Sequence, residues 1–419
     1  MRMLFLCGDL GVPVLGRKGA SIHVRELVAA FRRGGHDVAV AAAALTRSPW
    51  EAPAELDAPL VHVPLSAATL EAAGAVSELR DTVGAESGLP AELRRILHDR
   101  HLARELRRRF EHQPPEVVYE RGSMYSTAGA ALADAFDVPL IVELNAPLAG
   151  EHARYRGTHT GDLAVAAERW LLRRADAVVT VSDALRDHVV SLGADPGDVR
   201  VLPNGVDGER FAPGPRDPDV RARLGLNGGP AIGFVGGLRP WHGVEALPEL
   251  LERLVVRHPD VRLVVAGDGP LAGALDRDLR DRGLRDRAVL TGALAHDDIP
   301  DVIRQLDVAL APYPLLEHDF YFSPLKVVEY LACGVPVVAP RLGQIPQLVR
   351  DGETGALYRA GDLAALAAAC DGLLADPALG RRLGGTAGAE VRERYTWDAN
   401  ASETVALAQE LIETRRAVR

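Results

Sequence analysis

Short runs of β-branched and other apolar residues alternate with longer segments of helical periodicity along the whole chain. In the first half these runs are Met3–Cys7, Val38–Ala42, Val61–Val63, Val117–Tyr119, Leu140–Leu144, Ala177–Val181 and Val199–Leu202. In the second half they are Ala231–Val235, Val261–Ala266, Ala288–Thr291, Val308–Ala311 and Val335–Ala339. Such alternation predicts an α/β protein in which parallel strands are joined by crossover helices.

The two series are separated by residues 204–230, which are rich in Gly, Pro and Asp and have little periodicity, as is typical of a linker. At 419 residues the chain exceeds the roughly 250–300 residues at which one hydrophobic core stops growing. We predict two doubly wound, Rossmann-like domains, residues 1–205 and 206–395, facing each other across a cleft. A C-terminal helix, residues 396–419, follows, and one hypothesis is that it crosses back to the N-terminal domain.

Two helix boundaries can be predicted from local residues. Ser21 is expected to cap a helix that ends at Gly34 and Gly35. Ser323 with Pro324 predicts the start of a second helix, which Gly334 ends.

Near the opening of that second, apolar helix, Lys326 and Glu329 lie three residues apart and therefore share one face. Taken alone, the pair is compatible with a solvated surface ion pair as well as with a binding site.

Composition and charge narrow the function classes. The net charge of -10 argues against a general nucleic-acid binder but not against a local basic patch. Cys7, Cys333 and Cys370 are far apart, which favours reduced packing thiols over disulfides or a metal site.

The N-terminal apolar run is too short for a signal peptide or a membrane span, and we expect a cytoplasmic protein. Residues 93–110, apolar on one side and rich in arginine on the other, suggest either peripheral contact with the inner face of a membrane or an ordinary surface helix.

Glycine-rich turns follow the first strand of each series, at Gly8–Ser21 and Phe234–Gly243. Glycines let a backbone approach a ligand, and the next helix offers unpaired N–H groups to an anion. Neither turn has the Walker pattern or a clean G-x-G-x-x-G, so a purely structural turn is an alternative for each.

Agreement among several loops of the second series carries more weight. Arg239 and His242 follow its first strand, Gly267 follows the next, and Lys326 and Glu329 follow a later one. Since carboxyl ends of parallel strands share one edge of a sheet, these residues are expected to converge. Arg239 and Lys326 would neutralise phosphate oxygens, and Glu329 would accept hydrogen bonds from ribose hydroxyls. The pattern predicts a site for a nucleotide diphosphate.

Five motifs in order resemble one known family. They read PNGVD (203–207), FVGGLRPWHGVE (234–245), VVAGDGP (264–270), the strand at 307–312 and SPLKVVEYLACGVPVVAP (323–340). They are similar to the retaining glycosyltransferases of family 4, group 1, which have the GT-B fold. The resemblance implies a C-terminal domain that binds a nucleotide-diphosphate sugar and an N-terminal domain that binds the acceptor. It also implies transfer to an acceptor hydroxyl with retention of anomeric configuration, with no metal and no other cofactor.

The family's Glu-x7-Glu motif maps onto this sequence with one departure. Glu329 matches the second glutamate, which holds the donor ribose, whereas the first glutamate falls at Tyr321. Asp319 or the backbone N–H groups of Phe322 and Ser323 are candidates to replace that contact with the donor sugar.

The family's usual Arg and Lys after the first strand of the C-terminal domain fall at Gly237 and His242. Arg239 and Lys326 are therefore the candidates to supply positive charge to the departing diphosphate, and with Glu329 they form the predicted catalytic set.

In the N-terminal domain the resemblance implies one loop and several acceptor-binding side chains. The Gly16–Gly19 loop resembles the family's glycine loop beside the donor phosphates. The predicted acceptor-binding residues are Lys18, His23, Glu120, Arg121 and Asn145. Asn145 stands where the family often has histidine, and a buried ion pair or a capping role is an alternative for Glu120 and Arg121.

The transferred group is expected to be hexosyl or N-acetylhexosaminyl, and the acceptor a saccharide, a lipid-linked sugar or a small metabolite. Two alternatives share the fold: a sugar-nucleotide 2-epimerase, and a noncatalytic glycosyltransferase-like subunit, which the missing first glutamate suggests.

Overall fold

The computed structural model describes residues 1–46, 53–226 and 228–417. The chain divides into two compact units, Met1–Pro203 together with Trp397–Arg419, and Asn204–Thr396. Each unit is built on one parallel sheet. The prediction of two doubly wound, Rossmann-like domains is confirmed.

The sheet of the first unit has the strand order β3-β2-β1-β4-β5-β6-β7. Its strands are β1 (Arg2–Cys7), β2 (Asp37–Ala42), β3 (Leu60–His62), β4 (Val117–Arg121), β5 (Leu140–Leu144), β6 (Ala177–Thr180) and β7 (Val199–Val201). Its first helices are α1 (Gly19–Arg33), α2 (Ala67–Thr82), α3 (Leu89–Phe110), α4 (Ala128–Phe136), α5 (Leu148–Arg156), α6 (Gly161–Arg174) and α7 (Asp183–Ser191). The central strands β4, β5 and β6 are buried along their whole length, which explains their continuous apolar runs.

The sheet of the second unit has the order β10-β9-β8-β11-β12-β13. Its strands are β8 (Ala231–Val235), β9 (Arg262–Ala266), β10 (Ala288–Gly292), β11 (Val308–Leu310), β12 (Val337–Pro340) and β13 (Gly355–Tyr358). Its helices are α8 (Pro218–Arg223), α9 (Leu247–Val255), α10 (Ala272–Asp281), α11 (Ile299–Ile303), α12 (Leu325–Ala332), α13 (Ile345–Leu348), α14 (Leu363–Ala375) and α15 (Pro377–Arg394). The order reverses between β8 and β11, and doubly wound sheets bind ligands at such a reversal.

Each of the twelve predicted strands is present, with ends within two residues of the prediction. Strand β13 was not predicted from the sequence. Its four residues, Gly-Ala-Leu-Tyr, contain no β-branched side chain, and it lies at the edge of the sheet, where only one neighbour constrains it.

Two local expectations were wrong. Ser21 does not cap α1, because the helix begins two residues earlier and the carbonyl oxygen of Lys18 accepts the amides of both Ser21 and Ile22. Nor is the segment after residue 203 a loose linker. It contains α8, capped by Asp217, and its apolar side chains, Phe211 among them, are buried in the core of the second unit.

The last helix, α16 (Trp397–Ala417), belongs to the first unit. Trp397 is 2% exposed and packs edge-on against the ring of His23 in α1, with 4.9 Å between ring centroids. This contact fixes the start of α16 against α1.

Among the described helices none is by itself both long and apolar enough to cross a membrane. The adjacent helices α14 and α15 pass that test only as a pair bent by 101°.

We predict that Trp397→Ala lowers the free energy of unfolding of the first unit by about 3–5 kcal/mol, because it leaves a cavity in a packed core. Denaturant unfolding followed by circular dichroism measures the change. The matched control is Trp170→Ala, since Trp170 is 43% exposed and its loss is expected to change stability by less than about 0.5 kcal/mol. Equal effects of the two substitutions would contradict the packing of α16 against α1.

Candidate functional site

Two glycine-containing loops lie side by side at the carboxyl edge of the second unit's sheet. The Gly236 amide, just after β8, donates to the carbonyl oxygen of Ala266 at the end of β9 (2.9 Å). Gly267 has a φ of +150°, and a Cβ at this position would lie 1.9 Å from the Gly236 carbonyl oxygen. Only glycine fits such a close approach. Gly237 and Gly267, both predicted site residues, therefore lie in adjacent loops.

Lys326, in the first turn of α12, reaches back to this edge. The side chain is buried, and its Nζ lies 4.0 Å from the ring centroid of Phe234 and 5.2 Å from that of Tyr313. A Cβ at Gly236 would be 3.1 Å from the same Nζ. The ammonium group is thus placed beside the backbone of the loop after β8, between a residue of β8 and one that follows β11.

The charge of Lys326 is incompletely compensated. Within the described residues its Nζ has no hydrogen-bond partner, and the two aromatic faces offer only the weaker attraction of a cation for a ring quadrupole. Burial lowers the pKa of the Lys326 ammonium to about 7, while the nearby Glu329 carboxylate acts to raise it. An anion bound at this edge would stabilise the charged form.

Arg239 and His242 lie in the same loop. The positive charges of Lys326 and Arg239 both lower the pKa of the His242 ring. Nδ1 of His242 donates to the Gly237 carbonyl oxygen, 2.5 Å away, so this nitrogen carries the proton. Burial, then Lys326 and Arg239, lower the pKa of His242 to about 3, against the opposing effect of the Gly237 hydrogen bond. The imidazole is therefore neutral, and the positive charge at this edge belongs to Lys326 and Arg239.

The segment before α12 presents backbone donors. Asn204 anchors it, because its amide donates to Ser323 Oγ (2.8 Å) and its Nδ2 donates to the Ser323 carbonyl oxygen (2.7 Å). Pro324, the residue before α12, supplies no side-chain cap. Within the part of the chain that the structure describes, the amides of Phe322 and Ser323 have no acceptor. Unpaired N–H groups next to a helix N-terminus favour an anion.

Glu329 lies one turn along α12 from Lys326 and is also buried. Its Oε1 is 3.1 Å from Nε2 of His296, which comes just after β10. His296 was not among the site residues predicted from the sequence, and neither were Phe234, Tyr313 and Asn204. For His296 a signal was present, because it follows a strand end of the same sheet as the residues that were found.

Tyr321, at the position of the family's first glutamate, is buried and stacks on His318 with 5.4 Å between centroids. Asp319 is exposed. The aromatic side chain at 321 packs within the protein, and the nearest acidic candidate along the chain lies at the surface.

In the first unit, three predicted acceptor-binding residues meet at a carboxylate that was not predicted, Glu143 at the end of β5. Nε2 of His23 lies 2.6 Å from Glu143 Oε1, and a nitrogen of Arg121 lies 3.8 Å from Oε2. Burial acts to raise the pKa of the Glu143 carboxyl, but His23, Arg121 and Asn145 together hold it below its usual value. Glu143 is ionised, and its carboxylate pairs with the Arg121 guanidinium.

Glu120 does not join this group. Successive residues of a strand point to opposite faces, so Glu120 and Arg121 diverge. Glu120 accepts a hydrogen bond from the Ser126 hydroxyl, and burial raises the pKa of its carboxyl to about 8. The alternative of a buried ion pair therefore holds for Arg121, whose partner is Glu143, whereas the described residues show no ion pair for Glu120.

The remaining residues predicted in the first unit lie around the start of α1. Lys18 is exposed and its Nζ donates to the Gly11 carbonyl oxygen (3.1 Å). Gly16 closes a turn by donating to the Pro13 carbonyl oxygen (2.9 Å), and Gly19 begins α1.

Family models, curated relatives and solved structures that resemble this chain include glycosyltransferases. A family model described as "Glycosyl transferases group 1" matches residues 229–376, and one described as "Glycosyltransferase Family 4" matches residues 17–210. The chain is 32% identical over 275 residues to the GDP-mannose-dependent alpha-(1-6)-phosphatidylinositol monomannoside mannosyltransferase of Mycolicibacterium smegmatis, covering 63% of this chain and 71% of that protein. It is 32% identical over 286 residues to the 2-deoxystreptamine glucosyltransferase of Streptomyces kanamyceticus, covering 65% and 71%.

Among solved structures, that of Anabaena HepE in complex with UDP and glucose superimposes with a TM-score of 0.69 over 100% of both chains. At 20% sequence identity this likeness establishes a shared fold.

We predict that Lys326→Met stabilises the ligand-free protein by about 1–3 kcal/mol, because it replaces a buried, unpaired ammonium with an apolar side chain of similar length. The gain should be largest below about pH 7, where the folded protein must carry the buried charge. It should shrink as the pH rises toward 10, since the unfolded chain then holds a proton that the folded protein has released. Thermal unfolding between pH 6 and 9.5 measures it.

The same substitution should abolish stabilisation by UDP, GDP and ADP. Lys18→Met, at the one other lysine of the chain, is the matched control for the ligand-free measurement and should leave that stability unchanged. A destabilised Lys326→Met protein would contradict this reading of the buried charge.

Proposed function

The chain belongs to the group 1 glycosyltransferases of family 4, and from that premise we propose that it moves a sugar from a nucleotide-diphosphate sugar to an acceptor hydroxyl with retention of anomeric configuration. One observation carries the donor part of this proposal: the buried Nζ of Lys326, which has no hydrogen-bond partner among the described residues, beside the backbone of Gly236. A diphosphate is the anion that a nucleotide-sugar donor would bring to that position.

The proposed role of the donor-site residues follows from their charges. As the bond between the anomeric carbon and the diphosphate breaks, negative charge grows on the leaving oxygen. Lys326, Arg239 and the amides of Phe322 and Ser323 stabilise it, because preorganised donors need no rearrangement as the charge develops. Glu329 accepts hydrogen bonds from the ribose hydroxyls and fixes the nucleoside.

We propose that the acceptor attacks the anomeric carbon on the same face of the sugar from which the diphosphate departs. Attack on that face retains the anomeric configuration. The acceptor oxygen forms its bond to the anomeric carbon, and its proton passes to the departing phosphate oxygen. The leaving group itself then serves as the base, and no protein base is required.

We propose that the reaction needs no metal and no other cofactor, since the two cations and the amide groups supply the positive charge. Undiminished turnover in excess EDTA, after dialysis against the chelator, is the result expected.

The transferred sugar is proposed to be a hexose or an N-acetylhexosamine. By their names, the two relatives described above transfer mannose and glucose, which supports a hexosyl donor. The acceptor is proposed to be a saccharide, a lipid-linked sugar or a small metabolite. The cluster of buried His23 and Arg121 and half-buried Asn145 around Glu143 supports the first unit as the place where the acceptor is bound. A cytoplasmic location and peripheral contact with a membrane stay predictions.

A thermal-shift screen of UDP-, GDP-, ADP- and dTDP-sugars identifies the donor, because a bound ligand raises stability with its saturation. With that donor and a panel of acceptors, the protein should release the nucleoside diphosphate only when an acceptor is present, and proton NMR should show the product anomer unchanged. Interconversion of the donor without an acceptor would instead indicate an epimerase. Donor binding without turnover on any acceptor would indicate a noncatalytic subunit.

Glu329→Ala should weaken binding of the donor by about 10–100-fold, because hydrogen bonds to a charged group are lost. Isothermal titration calorimetry measures the affinity. Glu245→Ala, at an exposed carboxylate of the same unit, is the control and should bind the donor as the wild type does. Undiminished affinity of the Glu329 variant would remove that residue from the donor site.

A further inference from the structure

Glu329 is the last member of a hydrogen-bonded series of three side chains that begins outside the donor-site loops. Nη1 of Arg210 lies 2.9 Å from Nδ1 of His296, and Nε2 of His296 lies 3.1 Å from Oε1 of Glu329. The three residues come from different parts of the second unit: the segment after residue 203, the turn after β10, and α12.

The chemistry of the two ends decides how the imidazole is protonated. A guanidinium group can only donate hydrogen bonds, so Nδ1 of His296 must be the acceptor. The ring proton then lies on Nε2, which faces the carboxylate of Glu329. In this arrangement His296 is a neutral donor to Glu329, and its tautomer is set by Arg210.

Arg210 and the His296 ring are themselves held in place. The Arg210 amide donates to Asp207 Oδ1 (3.1 Å), within the PNGVD motif that the sequence analysis singled out. The next residue, Phe211, is 1% exposed and packs against the His296 ring with 5.3 Å between centroids. The motif therefore fixes both the hydrogen-bond donor and the apolar surface against which the imidazole lies.

We propose that His296 is a positioning residue for the donor: it holds the carboxylate of Glu329, through Oε1, in the orientation that accepts hydrogen bonds from the ribose. Oε2 is left to the nucleoside, together with the remaining acceptor capacity of Oε1. This inference rests on the proposed function, because it assigns to His296 a role in the same donor site. A carboxylate without this donor would adopt several rotamers, and ordering it on binding would weaken the complex.

Two variants separate the hydrogen bond from the packing. His296→Phe keeps an aromatic ring against Phe211 but cannot donate to Glu329. His296→Gln keeps one hydrogen-bond donor and one acceptor, because its amide N–H can donate to Glu329 while its carbonyl oxygen accepts from Arg210.

The experiment compares affinities for the nucleoside diphosphate, among UDP, GDP and ADP, that binds the wild type best, and for its 2′,3′-dideoxy analogue. The wild type should prefer the ribose form. His296→Phe should lower the preference for the ribose form about tenfold and leave the affinity for the dideoxy analogue unchanged. His296→Gln should retain most of the preference for the ribose form. With the full substrates, the Phe variant should raise KM for the donor and leave kcat nearly unchanged, as expected when uniform binding is removed.

Nitrogen NMR of imidazole-labelled protein adds a readout that does not depend on activity: the His296 ring should show a protonated Nε2 and an unprotonated Nδ1. A proton on Nδ1, or a wild-type ribose preference in His296→Phe, would overturn the inference while leaving the proposed function intact. If the wild type bound none of UDP, GDP, ADP and dTDP, the inference and the proposed function would both be overturned. If His296→Phe does not fold, the ribose preference of His296→Gln and the tautomer of His296 in the wild type test the inference instead.

Discussion

The second unit of this protein is organised around one electrostatic constraint, the burial of the Lys326 ammonium group. Removing such a group from water costs several kcal/mol unless a partner compensates it. Here the compensation is partial: the faces of Phe234 and Tyr313 lie near Nζ, and Glu329 acts on the charge from one helical turn away. Because Nζ has no hydrogen-bond partner among the described residues, its buried charge destabilises the ligand-free protein. In the proposed function, the diphosphate of the donor would compensate that charge and gain affinity.

Other features of this edge of the sheet are consistent with that constraint. The close approach of Gly267 to Gly236 brings the loops after β8 and β9 together and leaves room for a long side chain beside them. His242 stands where the family usually has lysine, and its neutral ring adds no second ammonium next to the first. The Nζ of Lys326 in α12 instead lies beside the backbone of that loop, at Gly236.

Much of the fold and part of the site could be predicted from the sequence. Runs of β-branched and other apolar residues located twelve strands, whereas the short edge strand β13 contains no β-branched residue. The rule that ligands bind at strand carboxyl ends placed Arg239, Lys326 and Glu329 together, since that rule depends only on topology. It did not show that Tyr321 would be buried, nor that Glu143 would pair with His23. Those outcomes depend on side-chain packing between elements distant in sequence, which neither spacing nor composition encodes.

The most direct test of this account is the ionisation of Lys326 itself. The chain has only two lysines, Lys18 and Lys326, so protein labelled with ¹³C at lysine Cε gives two signals, and Lys326→Met assigns the one of interest. In the free protein that signal should titrate near pH 7. With saturating UDP, GDP or ADP, whichever stabilises the protein most, it should keep the chemical shift of the charged form to well above pH 8. Titration near 10.5 in the free protein, or a midpoint that the nucleotide leaves unchanged, would contradict the claim that a buried, unpaired ammonium awaits the donor's diphosphate.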